Sequence, residues 1–125
     1  MSSATAFNDL GGSRAESPVY RHVVSDTRRA LTFNEIAEVT GVKLRSVQNW
    51  ASGASRPEAP ARDRLLELQY VVDQLSDVFE VEGIEIWLHA PQRQLEGKQP
   101  VDCLREGHFE KVLNAVEFLA GGPRK

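Results

Sequence analysis

The sequence predicts an all-α protein, with an N-terminal helix-turn-helix module joined by a long helix to a small C-terminal helical domain. Three observations carry this. Apolar residues recur at helical spacing along most of the chain, and no convincing strand stands among them. The stretch Leu31 to Ser52 has a strong start, a glycine turn and a second amphipathic segment. Proline and glycine punctuate the remainder at helix starts and stops.

Residues 1–17 are rich in Ser, Ala and Gly and are expected to form a disordered tail. A first helix, from about Val19 to Ala30, would support the two-helix module, with Tyr20, Val23 or Val24, Thr27 and Leu31 at helical spacing. Thr32 and Glu35 form a T-x-x-E capping box, and Leu31 with Ile36 can form a hydrophobic staple. The helix that follows carries Phe33, Ile36, Ala37 and Thr40 on one face. Gly41 supplies the left-handed turn. The second helix starts near Leu44, buries Val47 and Trp50, and ends at Gly53, with Lys43 where Ser or Thr would cap better. Its other face offers Lys43, Arg45, Ser46, Gln48 and Asn49, which can meet phosphates and base edges in a major groove. Arg45, Gln48 and Asn49 are the expected base readers, and Lys43, Ser46, Arg56 and Arg62 the phosphate contacts. Two amphipathic helices at a glycine also occur in bundles that never touch DNA.

Pro57 and Pro60 make a stiff connection, closing a module of residues 18–60. The second unit, residues 61–125, opens with a long helix predicted from about Ala61 to Val81. Leu65, Leu68, Val72, Leu75 and Phe79 recur at alternating three- and four-residue spacing, with Leu66, Val71 and Val78 widening the stripe. Such a seam packs inside the chain or against a second copy. Glu82-Gly83 is expected to break the pattern. Residues 84–88 fit a helix or a strand by periodicity, and helix is favoured because no partner strand is evident. Pro91 stops that element, and residues 92–98 are a loop or single turn. Pro100 opens a short helix that Gly107 closes. A last helix, from His108 or Phe109 to Ala120, buries Phe109, Val112, Leu113, Val116 and Leu119.

The chain has 125 residues and a net charge of −3. Up to Arg64 there are nine basic and seven acidic side chains, and beyond it six basic and eleven acidic. A mildly basic front and an acidic back suggest two partners, the front one a nucleic acid. One cysteine, Cys103, allows no internal disulfide and reads as a small buried hydrophobe. His22, His89 and His108 are scattered without metal-ligand spacing, so no metal is expected. No oxyanion loop or orienting group accompanies Cys103 and the histidines, and the chain reads as a non-enzyme without a cofactor. Neither an apolar leader nor a membrane-length run is present, and a cytoplasmic location is expected.

The back half, residues 84–122, carries a W-L-x-x-P element, a Leu-x-Gly-x-x-Pro stretch, a short helix from that proline, a glycine and a final amphipathic helix. The matching residues are Trp87, Leu88, Pro91, Leu95, Gly97, Pro100, Leu104, Gly107, Phe109, Val112 and Leu113. This resembles the toxin-binding domain of the Xre/MbcA/ParS antitoxins, a family that also carries an Xre-like helix-turn-helix ahead of it. Gln92 and Gln99 depart from the family's usual Asn and Thr. The resemblance implies a type II antitoxin that masks a cognate toxin with a RES or related ADP-ribosyltransferase-like fold that uses NAD, and that represses its own operon. Trp87, Pro91, Arg93 and Leu95, with the tail residues Arg124 and Lys125, would face the toxin. Trp87 also reads as a core residue. A homodimer or a toxin–antitoxin hetero-oligomer on operator DNA is expected, with the Leu65 to Phe79 seam able to supply the dimer contact. The alternatives are a stand-alone regulator and a masking protein without DNA affinity.

Overall fold

A computed structural model describes residues 18–121. Among them are seven α-helices: α1 (Pro18–Arg28), α2 (Phe33–Thr40), α3 (Leu44–Ser52), α4 (Ala61–Leu75), α5 (Val81–Leu88), α6 (Pro100–Arg105) and α7 (Phe109–Leu119). A single 3-10 turn, Arg93–Leu95, lies between α5 and α6. The only extended pairing among the described residues is an isolated bridge between Gln92 and Lys98. The chain is all-α, as its periodicity predicts. No helix of the described residues is long and apolar enough to cross a membrane.

Local chemistry sets the starts and stops. The Thr32 amide donates to Glu35 Oε1 at 2.9 Å, and the Glu35 amide donates to Thr32 Oγ1 at 3.1 Å. Both halves of the capping box are therefore closed, and two of the amides that a helix start leaves unpaired are satisfied. Gly41 and Gly53 end α2 and α3 at φ +80 and +86, where a side chain would meet its own carbonyl. Thr40, fully inside, returns its hydroxyl to the Ile36 carbonyl at 2.7 Å. Pro100 takes the first turn of α6, where its missing amide costs nothing.

One apolar cluster runs through every helix. Ile36 and Val39 of α2, Val47 of α3, Leu65, Leu68, Val71 and Leu75 of α4, Leu88 of α5, Leu104 of α6 and Val112 of α7 are all fully buried. The α4 helix is the central post: α1 and α2 pack on one part of it and α7 on another. Helix α2 also packs against α6, and α1 against α3. The core is thus continuous across residue 60.

Two expectations about the middle of the chain are overturned. The long helix stops at Leu75 rather than near Val81. The chain turns through Ser76 to Glu80 and restarts as α5, so Glu82-Gly83 lies inside a helix instead of ending one. Packing explains the second point: a Cβ at Gly83 would come within 2.9 Å of Phe79 Cβ, and only glycine lets the phenyl ring close over the start of α5. The seam residues Leu65, Leu68, Val72 and Leu75 are also consumed by this chain's own packing. They are not available for a second copy, and on the outer side Leu66, Tyr70 and Val78 stay exposed.

Candidate interaction surfaces

The α2–turn–α3 unit presents one solvent-facing stripe. Lys43, Arg45 and Gln48 are exposed, as are Leu44 and Ser52. Ser46 and Asn49 are half-buried and turn toward the inner side of α3. Ser46 borders a shallow cleft with Trp50, Arg56 and Pro57. Arg56 is exposed beside it, and Arg62 is half-buried nearby, 3.7 Å from Asp63. The backbone carbonyl of Asn49 accepts from the amides of Ala54 and Ser55, which folds the segment after α3 back against its end. Lys43 caps α3 in extended backbone but makes no side-chain cap bond. Arg45 and Gln48, about 60° apart around the helix, therefore share the exposed face of α3, with Lys43 exposed at its N-cap and Arg56 beside Ser46 on another side. Leu44, expected only as the start of the helix, is also exposed, at its first position.

The residues expected to face a toxin divide in two. Pro91 and Arg93 are exposed. Trp87 and Leu95 are not: they are 6% and 5% exposed and belong to the core. Trp87 thus takes its core reading, and Leu95 departs from the expectation for a plain cause. The W-L-x-x-P and Leu-x-Gly elements supply the anchors that pin the α5–α6 connection, and an anchor is apolar because it is inside. The buried Trp87 Nε1 has no hydrogen-bond partner among the described residues. Gln92 replaces a usual Asn yet still clamps the corner, its side-chain amide donating to the carbonyls of Trp87 and Ala90 at 3.0 and 3.1 Å. Arg124 and Lys125 lie outside the described residues, as does the N-terminal tail.

A cleft of about 490 Å³ opens between the 3-10 turn, α6 and α7, lined by Leu95, Lys98, Cys103, His108, Lys111 and Phe118 among others. Phe118 is 48% exposed at its rim. Burial pushes the Cys103 thiol above its usual range, so it is a protonated, unreactive side chain at neutral pH. No three metal-ligating side chains come together among the described residues.

An ionic cluster that sequence spacing gave no sign of ties these two surfaces together. His89 Nε2 lies 2.7 Å from Glu35 Oε2, although the two residues are 54 positions apart. Its Nδ1 lies 2.7 Å from the Glu85 carbonyl. Both contacts are acceptors, so only the doubly protonated ring donates to both. Arg105 reaches Glu35 at 3.8 Å and Glu38 at 2.6 Å, and also pairs with Asp102. Burial alone would push the Glu35 carboxyl up, but the Thr32 amide, His89 and Arg105 outweigh it and hold the group below the ordinary carboxylate range. Burial would push His89 down, but the Glu85 carbonyl and the Glu35 carboxylate outweigh it and hold the ring above its ordinary value. The carboxylate that caps α2 is thus also the one that grips α5 and α6.

No family model matches the chain. It is 34% identical over 95 residues to the mycobacterial cidal antitoxin MbcA of Mycobacterium tuberculosis, covering 76% of this chain and 84% of that protein. It is 40% identical over 92 residues to the probable mycobacterial cidal antitoxin Rv3188 of the same organism, covering 74% of this chain and 78% of that protein. The crystal structure of the M. tuberculosis MbcT–MbcA toxin–antitoxin complex contains a chain that superposes with a TM-score of 0.72 at 32% identity, over 87% of this chain and all of that one. With this level of identity over most of both lengths, the chain belongs to the MbcA family of mycobacterial cidal antitoxins.

Proposed function

We propose that this chain is an antitoxin that binds a cognate toxin directly and represses its own operon. The observation that carries the first part is kinship with MbcA over most of the chain, together with a matching fold in a solved toxin–antitoxin complex. The toxin is a RES-domain or related NAD-using enzyme, and the chemistry belongs to it. This chain acts by occlusion, through a surface around Pro91 and Arg93 flanked by the cleft at Phe118, with Arg124 and Lys125 as further toxin contacts.

Repression rests on α3. Two exposed side chains on one stripe, Arg45 and Gln48, with Lys43 exposed at the N-cap, support a helix-turn-helix reading. A guanidinium suits guanine and an amide suits adenine in a major groove, while Lys43, Ser46 and Arg56 meet phosphates. Asn49, half-buried, contributes from the edge. Two copies, alone or held within a toxin–antitoxin hetero-oligomer, would read paired half-sites. One observation favours a masking antitoxin without DNA affinity instead: the start of α3 has no side-chain cap.

Co-expression with the product of the neighbouring reading frame tests the antitoxin reading. Growth should recover, and the two proteins should purify together. Continued arrest beside a verified toxin refutes it. Binding of the upstream DNA at several salt concentrations separates the two versions. The repressor loses affinity steeply as salt rises, and loses it again in the variant Arg45→Ala plus Gln48→Ala.

A further inference from the structure

The solvent-facing stripe of α3 holds one large apolar side chain among its polar ones. Leu44 is 37% exposed at the first position of the helix. The core of the same helix is made by Val47 and Trp50. At about 100° per residue, Leu44 and Gln48 lie about 40° apart, and Arg45 borders the same stripe. The part of Leu44 left open to solvent lies on the side of α3 that carries Arg45 and Gln48.

A matching partner must offer acceptors for Arg45, a donor and acceptor for Gln48, and a small apolar group beside them. The edge of a base pair in the major groove offers that set, and its apolar group is the C5-methyl of thymine. A protein partner fits less well, because the apolar part of this face is a single leucine beside charged and polar side chains, whereas the core of a protein interface is depleted of charge. We propose that Leu44 is a specificity-determining residue that reads a thymine by packing its side chain against the C5-methyl group. This rests on the DNA-reading proposal above.

The test uses the full chain and the DNA upstream of its own reading frame, made with thymine or with uracil throughout. Uracil pairs identically and lacks only the methyl. The wild type should bind the thymine duplex about three- to fivefold more tightly, the value of burying about one methyl group. Leu44→Ala should weaken binding to the thymine duplex and bring the thymine-to-uracil ratio close to one. Leu44 lies outside the apolar core cluster, so the fold should hold, as circular dichroism would verify. Arg45→Ala should weaken both duplexes and leave the ratio intact. A wild-type ratio of one, or an undiminished ratio in Leu44→Ala, overturns the proposal. An unchanged ratio in Leu44→Ala coupled to loss of the toxin complex also overturns it and assigns the leucine to a protein contact. A wild type that prefers neither duplex over unrelated DNA of equal length overturns the DNA-reading proposal itself.

Discussion

Leu68→Ala probes whether the N-terminal helices and the C-terminal helices stand on one core. Leu68 is fully buried in the middle of α4, the helix against which α1, α2 and α7 all pack. Its neighbours Leu65, Val71 and Leu75 are also fully buried and cannot collapse far into the gap. Removing the side chain to Cβ in such a site costs about 3–4 kcal/mol, within the range for leucine truncations. For a domain of this size that is a fall of about 12–20 °C in Tm. The two tryptophans allow each side of residue 60 to be followed separately, since Trp50 lies in α3 and Trp87 in α5. Urea denaturation would be followed by fluorescence in Trp50→Phe and Trp87→Phe backgrounds, each with and without Leu68→Ala. Both reporters should lose the same midpoint, about 1.5–2 M urea for a typical slope. A shift seen by one tryptophan alone, or a loss below about 1 kcal/mol, would refute the single-core argument.

The His89–Glu35 pair makes stability depend on pH. The folded-state value of His89 is raised, so its contribution is complete below the unfolded value and fades as pH climbs through the folded one. The value of Glu35 is lowered, so its contribution holds above the unfolded value and is lost as pH falls through the folded one. The Tm difference between wild type and His89→Gln should therefore peak in mild acid, at about pH 5–6, and shrink toward pH 8; a difference that grows with pH would contradict the assignment. Gly53→Ala and Gly97→Ala both force alanine to a positive φ, of +86 and +85, and each should lose about 1–2 kcal/mol in chemical denaturation. Gly53→Ala should lose more, because its Cβ would meet Arg21 Cδ at 2.8 Å while Gly97 has open space; equal losses would show that Arg21 moves without cost. Gln48→Ala should cost about 1–3 kcal/mol of operator affinity at a single base pair, read by a binding scan over single-base variants, and a uniform loss over all sites would demote it to a phosphate contact.

What the sequence made legible was local. The capping box at Thr32 and Glu35, the turns at Gly41 and Gly53, and the helix start at Pro100 depend on residues within a few positions of each other, and all stand as the sequence predicts. The break after Leu75 was hidden because Phe79 continues the spacing of α4 into the turn that follows. Gly83 misled for the opposite reason: its glycine serves the approach of Phe79, not a chain reversal. Trp87 and Leu95 stood out as a motif, and a motif does not reveal whether its members contact a partner or hold up the residues that do. The same gap explains the ionic cluster, since nothing in the pattern around Glu35 announces His89 or Arg105. The exposed face of α3 was readable, but the exposure of Leu44 depends on which way the whole helix is turned by Val47 and Trp50.

Glu35 has two employers. One carboxyl oxygen starts a helix in the front of the molecule, and the other secures a ring that belongs to the back. Hybrids that graft the first half of one homologue onto the second half of another will inherit a mismatch at that point unless positions 35, 89 and 105 travel together. Drift at residue 35 is constrained twice over, since aspartate would be too short for both contacts and glutamine would keep the cap while surrendering the charge.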